Sequence, residues 1–184
     1  MELYNCTFKG NTAFSSGGAV LVDCQIIVDG SEFIENQGTS GGAISQPTDY
    51  QRPSNIIINN TNFTKNRGTS YGAAIYTASI SGGISVENSN FKDNYGDQHG
   101  LIYIANGKEN NFTNCNFTNN SARDRVISSV TPATTINITY SNITNNFCTL
   151  NGVFYSSGRA ILENNTFDSI VNDIENFRIS IVHF

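Results

Sequence analysis

A short phrase recurs along this chain, and its spacing limits the fold more than any other feature of the sequence. Each copy places an aromatic or branched residue after a polar pair, and successive copies lie 24 to 30 residues apart. Periods of this size are typical of solenoids and other repeat architectures, in which one unit cannot bury its apolar face alone. The repeated anchor residues are Phe8, Phe33, Phe63, Phe91, Phe117, Ile143 and Phe167.

Other residue types recur at fixed positions relative to this anchor. An alternating apolar pair such as Ile56 and Ile58 precedes it, and a glycine-led apolar phrase such as 41–44 follows it after a short turn. Alternation with a period of two is typical of β-strands, and no stretch shows the period of a helix. An asparagine also lies three positions after the anchor, until Ile170 breaks the series. These asparagines are Asn11, Asn36, Asn66, Asn94, Asn120 and Asn146.

Each unit therefore predicts three short strands separated by turns rich in Gly, Asn and Ser. The predicted fold class is all-β: a right-handed, single-stranded parallel β-helix, or solenoid, of about seven coils with three short strands per coil. The right hand is expected because parallel crossovers favour it. We expect residues 1–184 to form a single β-helix repeat domain.

In such a coil, equivalent residues stack on one another along the axis. The anchor residues are predicted to form an apolar ladder inside. The asparagines are predicted to form a structural ladder, because their amides can bridge between coils and tolerate the left-handed turn conformation. A narrow inward position beside the anchors is predicted for small residues. They are Cys6, Ser31, Thr61, Ser89, Cys115 and Ser141.

The pairing of Phe-x-x-Asn with Gly-Gly-Ala followed by Ile or Val resembles the repeat of the chlamydial polymorphic membrane proteins and of similar adhesin-like β-helix proteins of other microbes. The resemblance covers about residues 5–170, and the Gly-Gly-Ala element decays to Asp124-Arg125-Val126 in a later copy. It implies a secreted, surface-exposed region involved in adhesion or self-association. The implied partners are a glycan or a protein on another surface, or a second copy of the chain.

The leading hypothesis is a noncatalytic extracellular module that forms a rigid stalk. A β-helical carbohydrate-active enzyme, of the polysaccharide lyase or glycoside hydrolase type, is one alternative, and an architectural component of a larger assembly is another. Such enzymes need clustered carboxylates, a basic residue or calcium ligands on one face. Glu35, Lys65 and Asp93 align on neighbouring coils in the pattern of a surface charge ladder. Asp93, Asn94 and Asp97 are candidate calcium ligands, but a solvated turn explains them as well. We therefore predict no catalytic, metal or cofactor site.

One column has the character of a contact surface. Tyr76, Tyr103 and Tyr155 each follow an inward residue, so their side chains are expected to point outward, with Ser45 and Ser128 interrupting the column. Tyrosines in a row can grip sugar rings or a partner surface, although packing between coils also explains them.

Sequons recur with the repeat. In the sequons at Asn62, Asn116 and Asn142, the asparagine directly precedes an inward residue and the threonine directly follows it. Both side chains should therefore face outward. If the protein is secreted from a eukaryotic cell, we predict these asparagines as N-glycosylation sites.

The charge pattern excludes two classes of partner. The net charge is −5 and no run of Lys or Arg exists, so neither nucleic acid binding nor membrane insertion by this segment is expected. The start of the chain lacks the features of a signal peptide. Because residues 178–182 alternate like the start of a further coil, we expect a fragment of a longer chain, located extracellularly or at the cell surface.

Cysteines do not predict disulfides here. Cys6 and Cys115 share a column four coils apart, about 19 Å at the coil spacing, which exceeds the roughly 7 Å limit for a bridge. Cys24 and Cys148 fall in different coils and different segments. All four are predicted to be free, mostly buried thiols, with no metal site because no histidine joins a close pair.

Overall fold

The structure, a computed structural model, describes residues 1–47 and 54–168 and the backbone of 171–172. Over these residues the chain winds as a parallel β-solenoid, in which each strand pairs with the equivalent strand of the next coil. The predicted all-β parallel solenoid is thus confirmed. Ile170 and the alternating stretch at 178–182 lie outside the described residues. No helix in the described ranges is long and apolar enough to span a membrane.

The strands are short and follow one another coil by coil. In chain order they are β1 (Glu2–Tyr4), β2 (Thr7–Lys9) and β3 (Val20–Leu21); β4 (Ile26–Asp29), β5 (Glu32–Ile34), β6 (Gln37–Ser40) and β7 (Ile44–Gln46); β8 (Ile56–Asn59), β9 (Asn62–Thr64), β10 (Arg67–Tyr71) and β11 (Ile75–Thr77); β12 (Ile84–Glu87), β13 (Asn90–Lys92), β14 (Tyr95–Gly96) and β15 (Ile102–Ile104); β16 (Glu109–Thr113), β17 (Asn116–Thr118), β18 (Ser121–Ala122) and β19 (Ile127–Ser129); β20 (Thr135–Thr139), β21 (Asn142–Thr144), β22 (Phe147–Cys148) and β23 (Phe154–Ser156); and β24 (Arg159–Glu163), β25 (Thr166–Asp168) and β26 (Val171–Asn172).

These strands form four sheets, where the sequence predicts three strands per coil. Sheet A is β1-β4-β8-β12-β16-β20-β24, sheet B is β2-β5-β9-β13-β17-β21-β25, sheet C is β6-β10-β14-β18-β22-β26 and sheet D is β3-β7-β11-β15-β19-β23. Sheets A and B have seven strands and sheets C and D have six, so the described residues make about six turns and part of a seventh.

The sequence analysis did not predict sheet C, because the residues that face inward from its strands have small side chains or none. Gly38, Gly68 and Gly96 are buried there in successive coils, followed by Ala122 and Cys148. A Cβ atom at Gly68 would lie 2.7 Å from the Gly72 carbonyl oxygen, so the walls approach closely at this corner. A strand whose inward-facing residue is glycine shows no alternation of apolar and polar residues. Its content of Gly, Ser and Thr instead predicts a turn.

The phenylalanine column forms a continuous stack inside sheet B. Between successive rings from Phe8 to Phe117 the centroids lie 4.8 to 5.0 Å apart and the planes are inclined by 3 to 6°. The rings of Phe33, Phe63, Phe91 and Phe117 are fully buried. Ile143 and then Phe167 continue the register below Phe117. Phe8 and Phe167 are partly buried, because each lies in an outer coil of the described stack.

The predicted asparagine ladder is confirmed. Each side-chain Oδ1 accepts the Nδ2 hydrogen of the asparagine in the preceding coil, at 2.8 to 3.0 Å, from Asn11 through to Asn146. The same oxygen also accepts the backbone N–H of that asparagine. From Asn36 onward, each Nδ2 also donates to the carbonyl oxygen of the anchor phenylalanine one coil earlier.

The left-handed conformation is adopted by the residue before each ladder asparagine, and not by the asparagine as predicted. Glu35, Lys65, Asp93, Asn119 and Asn145 have φ between 54 and 56°. The sharp turn from sheet B to sheet C needs a positive φ at this point, whereas the asparagine must direct its amide inward to reach the next coil. One residue therefore forms the turn, and the asparagine that follows it forms the ladder.

The small-residue column closes the corner between sheets A and B. The hydroxyl oxygens of Ser31, Thr61, Ser89 and Ser141 each accept a backbone N–H from the preceding coil. Each hydroxyl also donates to the carbonyl oxygen two residues earlier in its own coil. Small side chains suit this position because they satisfy two backbone groups within a narrow space.

All four cysteines are free thiols, in agreement with the prediction, but they differ in accessibility. Cys115 and Cys148 are buried, Cys6 is partly buried and Cys24 is exposed. Burial raises the pKa of the Cys115 thiol to about 11 and that of Cys148 to about 12.

This difference predicts the order of thiol reactivity. At about pH 8, below both raised pKa values, Cys115 and Cys148 stay protonated, and only a thiolate attacks a disulfide reagent. A titration of the native protein with such a reagent should modify Cys24 first and Cys6 more slowly. Cys115 and Cys148 should react only after unfolding in guanidinium, and equal rates at all four native thiols would contradict this expectation.

Candidate functional site

The three tyrosines predicted to contact a ligand lie on the outer side of sheet D. Tyr76, Tyr103 and Tyr155 are the central residues of β11, β15 and β23, and they share a register column with Ser45 and Ser128. The tyrosines are half-buried and both serines are buried, so neighbouring side chains cover much of this column. The covering residues come from the end of β10 in sheet C and from the turn that joins sheets C and D.

Tyr71 and His99 form a second row beside the tyrosine column. Their rings stack with centroids 4.9 Å apart and planes inclined by 11°. The ring centroid of Tyr103 lies 4.8 Å from that of Tyr71 and 6.1 Å from that of Tyr76. Four rings, three from strands and one from the turn before β15, therefore form one continuous aromatic surface across two coils.

The aromatic surface continues into a charged group one coil further along the axis. Asp124 is largely buried, and its Oδ2 accepts a hydrogen bond from Arg125 Nη1 at 2.6 Å and lies 3.5 Å from His99 Nδ1. Asn151 Nδ2 donates to its other oxygen. The Arg125 guanidinium lies over the ring of Tyr155, 4.1 Å from the ring centroid. Arg125 is thus held from two sides, by a carboxylate and by an aromatic face.

We call these residues together the sheet D patch: Tyr71, Tyr76, His99, Tyr103, Asp124, Arg125 and Tyr155. Burial raises the pKa of the Tyr76 and Tyr103 phenols, and the nearby Tyr71 raises both further. Both phenols therefore remain protonated hydrogen-bond donors at neutral pH. Rings in this arrangement offer flat apolar faces with polar groups at their edges, which is the chemistry of a binding surface.

A pocket of about 300 Å³ lies at the charged end of the patch. It is lined by Gln98, His99, Arg123, Asp124, Arg125, Leu150 and Asn151. Arg123 is exposed. The pocket therefore brings the ring of His99 together with the side chains of Arg123 and Arg125.

Sequence reasoning found three members of the patch and missed four: Tyr71, His99, Asp124 and Arg125. A signal for three of them was present, because His99 and Asp124 occupy the place of Gly41 in the glycine phrase and Arg125 that of Gly42. The erosion of this phrase reflects the replacement of turn glycines by side chains that reach the tyrosine column. Tyr71 precedes its own copy of the phrase and gave no comparable signal.

The sequon asparagines lie on a different face, on the outer side of sheet B. Asn142 donates to Asn116, Asn116 to Asn90 and Asn90 to Asn62, through side-chain amides 2.8 to 2.9 Å apart. Asn116 and Asn142 are exposed, and Asn62 is partly so. Glycosylation of Asn62, Asn116 and Asn142 stays a prediction.

The predicted charge ladder lies at the turn from sheet B to sheet C. Glu35, Lys65 and Asp93 are the left-handed residues of this turn, and Glu35 and Lys65 are exposed. Asp97 is paired with Arg67 through two hydrogen bonds of 2.8 and 3.2 Å. Within the described part of the chain, no three or more His, Cys, Asp or Glu side chains group closely enough to hold a metal ion.

Comparison with known families identifies the fold. A family model described as a right-handed beta helix region matches residues 1–169. The comparisons with curated proteins and with solved structures gave no match. The match extends from β1 to β25, and it confirms the right hand predicted for the solenoid.

Proposed function

Because the chain belongs to the right-handed β-helix family, we propose that it is a noncatalytic, adhesin-like surface module: a rigid β-helical stalk whose sheet D patch binds a glycan on another surface. The observation that carries this proposal is the continuous aromatic surface formed by Tyr71, Tyr76, His99 and Tyr103. The proposed setting is extracellular, as the resemblance of the repeat to adhesin-like β-helix proteins implies.

Stiffness of the coil supports the role of a stalk. Successive coils are joined by four parallel sheets, by the buried asparagine ladder and by the phenylalanine stack. Bending the axis would lengthen contacts in several of these columns at once. Close-packed interiors resist such strain, so the patch is presented on a rigid support.

Ring geometry supports a glycan as the ligand. Tyrosine provides a large and rigid contact area with few rotatable bonds, so little conformational entropy is lost when a ligand binds. The aromatic faces suit the C–H-rich faces of sugar rings, and the tyrosine hydroxyls can exchange hydrogen bonds with sugar hydroxyls. A patch that runs along the axis over several coils suits an extended ligand.

The state of Asp124 supports binding over catalysis. Among the described residues it is the one carboxylate in the patch, and it is engaged by Arg125, His99 and Asn151. A carboxylate held in this way positions Arg125. General acid–base catalysis needs a carboxyl group that is within reach of the substrate and able to exchange its proton.

A glycan array tests the proposal. Labelled wild-type protein should bind a subset of glycans, and Tyr71→Ala and Tyr103→Ala should each weaken binding by about tenfold or more, as expected for aromatic anchors at an interface. Tyr140→Ala is the matched control, because Tyr140 is 63% exposed and lies at the corner between sheets A and B. Circular dichroism should show that all variants keep the native fold.

Two outcomes would overturn this function. One is the absence of glycan binding by the wild-type protein. The other is equal binding by the Tyr103→Ala and Tyr140→Ala variants, which would show that any glycan binds elsewhere. Release of reducing sugar or of unsaturated product from a bound glycan would instead support an enzyme.

A further inference from the structure

We infer that the sheet D patch selects an acidic saccharide, whose carboxylate or sulfate group binds in the pocket between Arg123 and Arg125 while a neighbouring sugar ring packs on the tyrosines. This inference rests on the proposed function and names the class of glycan. It is carried by the arrangement of charge and aromatic rings at one end of the patch.

Local charge at the pocket is opposite to that of the whole chain. The chain has a net charge of −5 with 10 Lys and Arg residues, yet Arg123 and Arg125 both line this pocket beside a single carboxylate. Arg125 neutralises that carboxylate through a short hydrogen bond. The positive charge of Arg123 is therefore not balanced by a carboxylate of the pocket. A pocket with surplus positive charge favours an anionic ligand.

Arg125 is also oriented in advance. Its guanidinium is fixed by Asp124 at 2.6 Å and by the ring of Tyr155 at 4.1 Å, and its side chain is only 19% exposed. An arginine held in one conformation loses little entropy when it binds an anion, and its planar group can hold two oxygens of a carboxylate or sulfate at once. Arg123 is exposed and can close on the same group from the open side.

Size and position of the pocket fit one charged substituent. Its volume of about 300 Å³ lies at the lower end of the range for ligand sites. His99 belongs both to the pocket and to the aromatic surface, because it stacks on Tyr71. A saccharide with its acidic group in the pocket therefore has its next ring placed toward the tyrosines.

Matched pairs of oligosaccharides test the inference by titration calorimetry. A hyaluronan oligosaccharide carries carboxylates without sulfate and is compared with neutral chitotetraose. A 6-sulfated N-acetyllactosamine oligomer carries sulfate without carboxylate and is compared with its unsulfated form. At least one acidic member should bind about tenfold more tightly than its neutral partner, and this advantage should shrink as salt is raised. Which acidic member binds more tightly distinguishes a carboxylate from a sulfate ligand.

Two arginine variants complete the test. Arg123→Gln should weaken binding of the preferred acidic ligand by about fivefold, and it should leave binding of the neutral partner unchanged. Arg159→Gln is the control, because Arg159 is an exposed arginine on β24 in sheet A. Arg123 is on the surface, so its replacement should leave the unfolding transition unchanged.

The possible failures are distinguishable. If charged and neutral glycans bind equally, depend on Tyr103 and ignore Arg123→Gln, the acidic selectivity is wrong and the glycan-binding function stands. Should no oligosaccharide bind, the proposed function and this inference fall together. An equal loss with Arg123→Gln and Arg159→Gln would show non-specific attraction and would overturn the inference.

Discussion

Replacing Phe91 by alanine should lower the free energy of unfolding by about 3 to 5 kcal/mol. The ring is fully buried and stacks at 4.8 Å on Phe63 on one side and on Phe117 on the other. Its removal breaks both contacts and leaves a cavity that the neighbouring coils cannot close, because their spacing is set by four sheets. Guanidinium unfolding followed by circular dichroism measures the change.

Two further variants make this result specific. Phe14→Ala is the control for the loss of a phenylalanine, because Phe14 is 100% exposed, and it should change stability by less than about 0.5 kcal/mol. Phe91→Ile should cost only about 1 kcal/mol, because Ile143 already occupies this column without disrupting the register. A loss for Phe91→Ala no larger than that for Phe14→Ala would show that the stack does not stabilise the fold.

Asn94→Ala should lower the free energy of unfolding by about 2 to 4 kcal/mol. Asn94 accepts both the backbone N–H and the side-chain amide of Asn66, and it donates to the Phe63 carbonyl oxygen and to Asn120. Alanine leaves the buried N–H of Asn66 without this acceptor and removes one donor from the Phe63 carbonyl. Thermal and guanidinium unfolding of the purified variant give the change.

The outer amide chain provides the control for this prediction. Asn116→Ala also removes two amide contacts, to Asn90 and from Asn142, but this asparagine is exposed and water can replace both. Its loss should cost less than about 1 kcal/mol when the protein is made without glycosylation. Equal costs at the two positions would mean that the buried ladder contributes no more than a surface contact.

Much of the fold could be predicted because one residue type performs one task in each coil. Phenylalanine at 8, 33, 63, 91 and 117 defines the coil length, and asparagine three positions later fixes where the wall turns. A column with the same requirement in every coil repeats visibly in the sequence. Sheet C was missed for the complementary reason: where Gly38 and Gly68 face inward, the requirement is for the absence of a side chain, which a search for apolar alternation does not detect.

Only part of the candidate site was accessible to the same reasoning. Tyr76, Tyr103 and Tyr155 repeat in register, so the column could be found by counting. Contacts between columns cannot be found in this way, because they depend on how a side chain at a strand end or in a turn packs against a neighbouring strand. Thus the packing of Tyr71 on Tyr103 and of Arg125 on Tyr155 became visible only in the structure.

Two of the chains of hydrogen-bonded asparagine amides, the buried ladder and the outer chain on sheet B, each have a defined direction along the solenoid axis. Inside, each amide donates toward the C-terminal coils, from Asn36 to Asn66 and onward. Outside, on sheet B, each donates toward the N-terminal coils, from Asn142 to Asn116 and onward. The inner direction is fixed, because each inner oxygen also accepts a backbone N–H. The hydrogen bonds of the outer chain join side chains alone. A 180° flip of all the amides of this chain together would therefore preserve every bond and reverse the dipole of the chain. The buried chain is thus a permanent dipole, whereas the outer chain can reverse its polarity only as a unit.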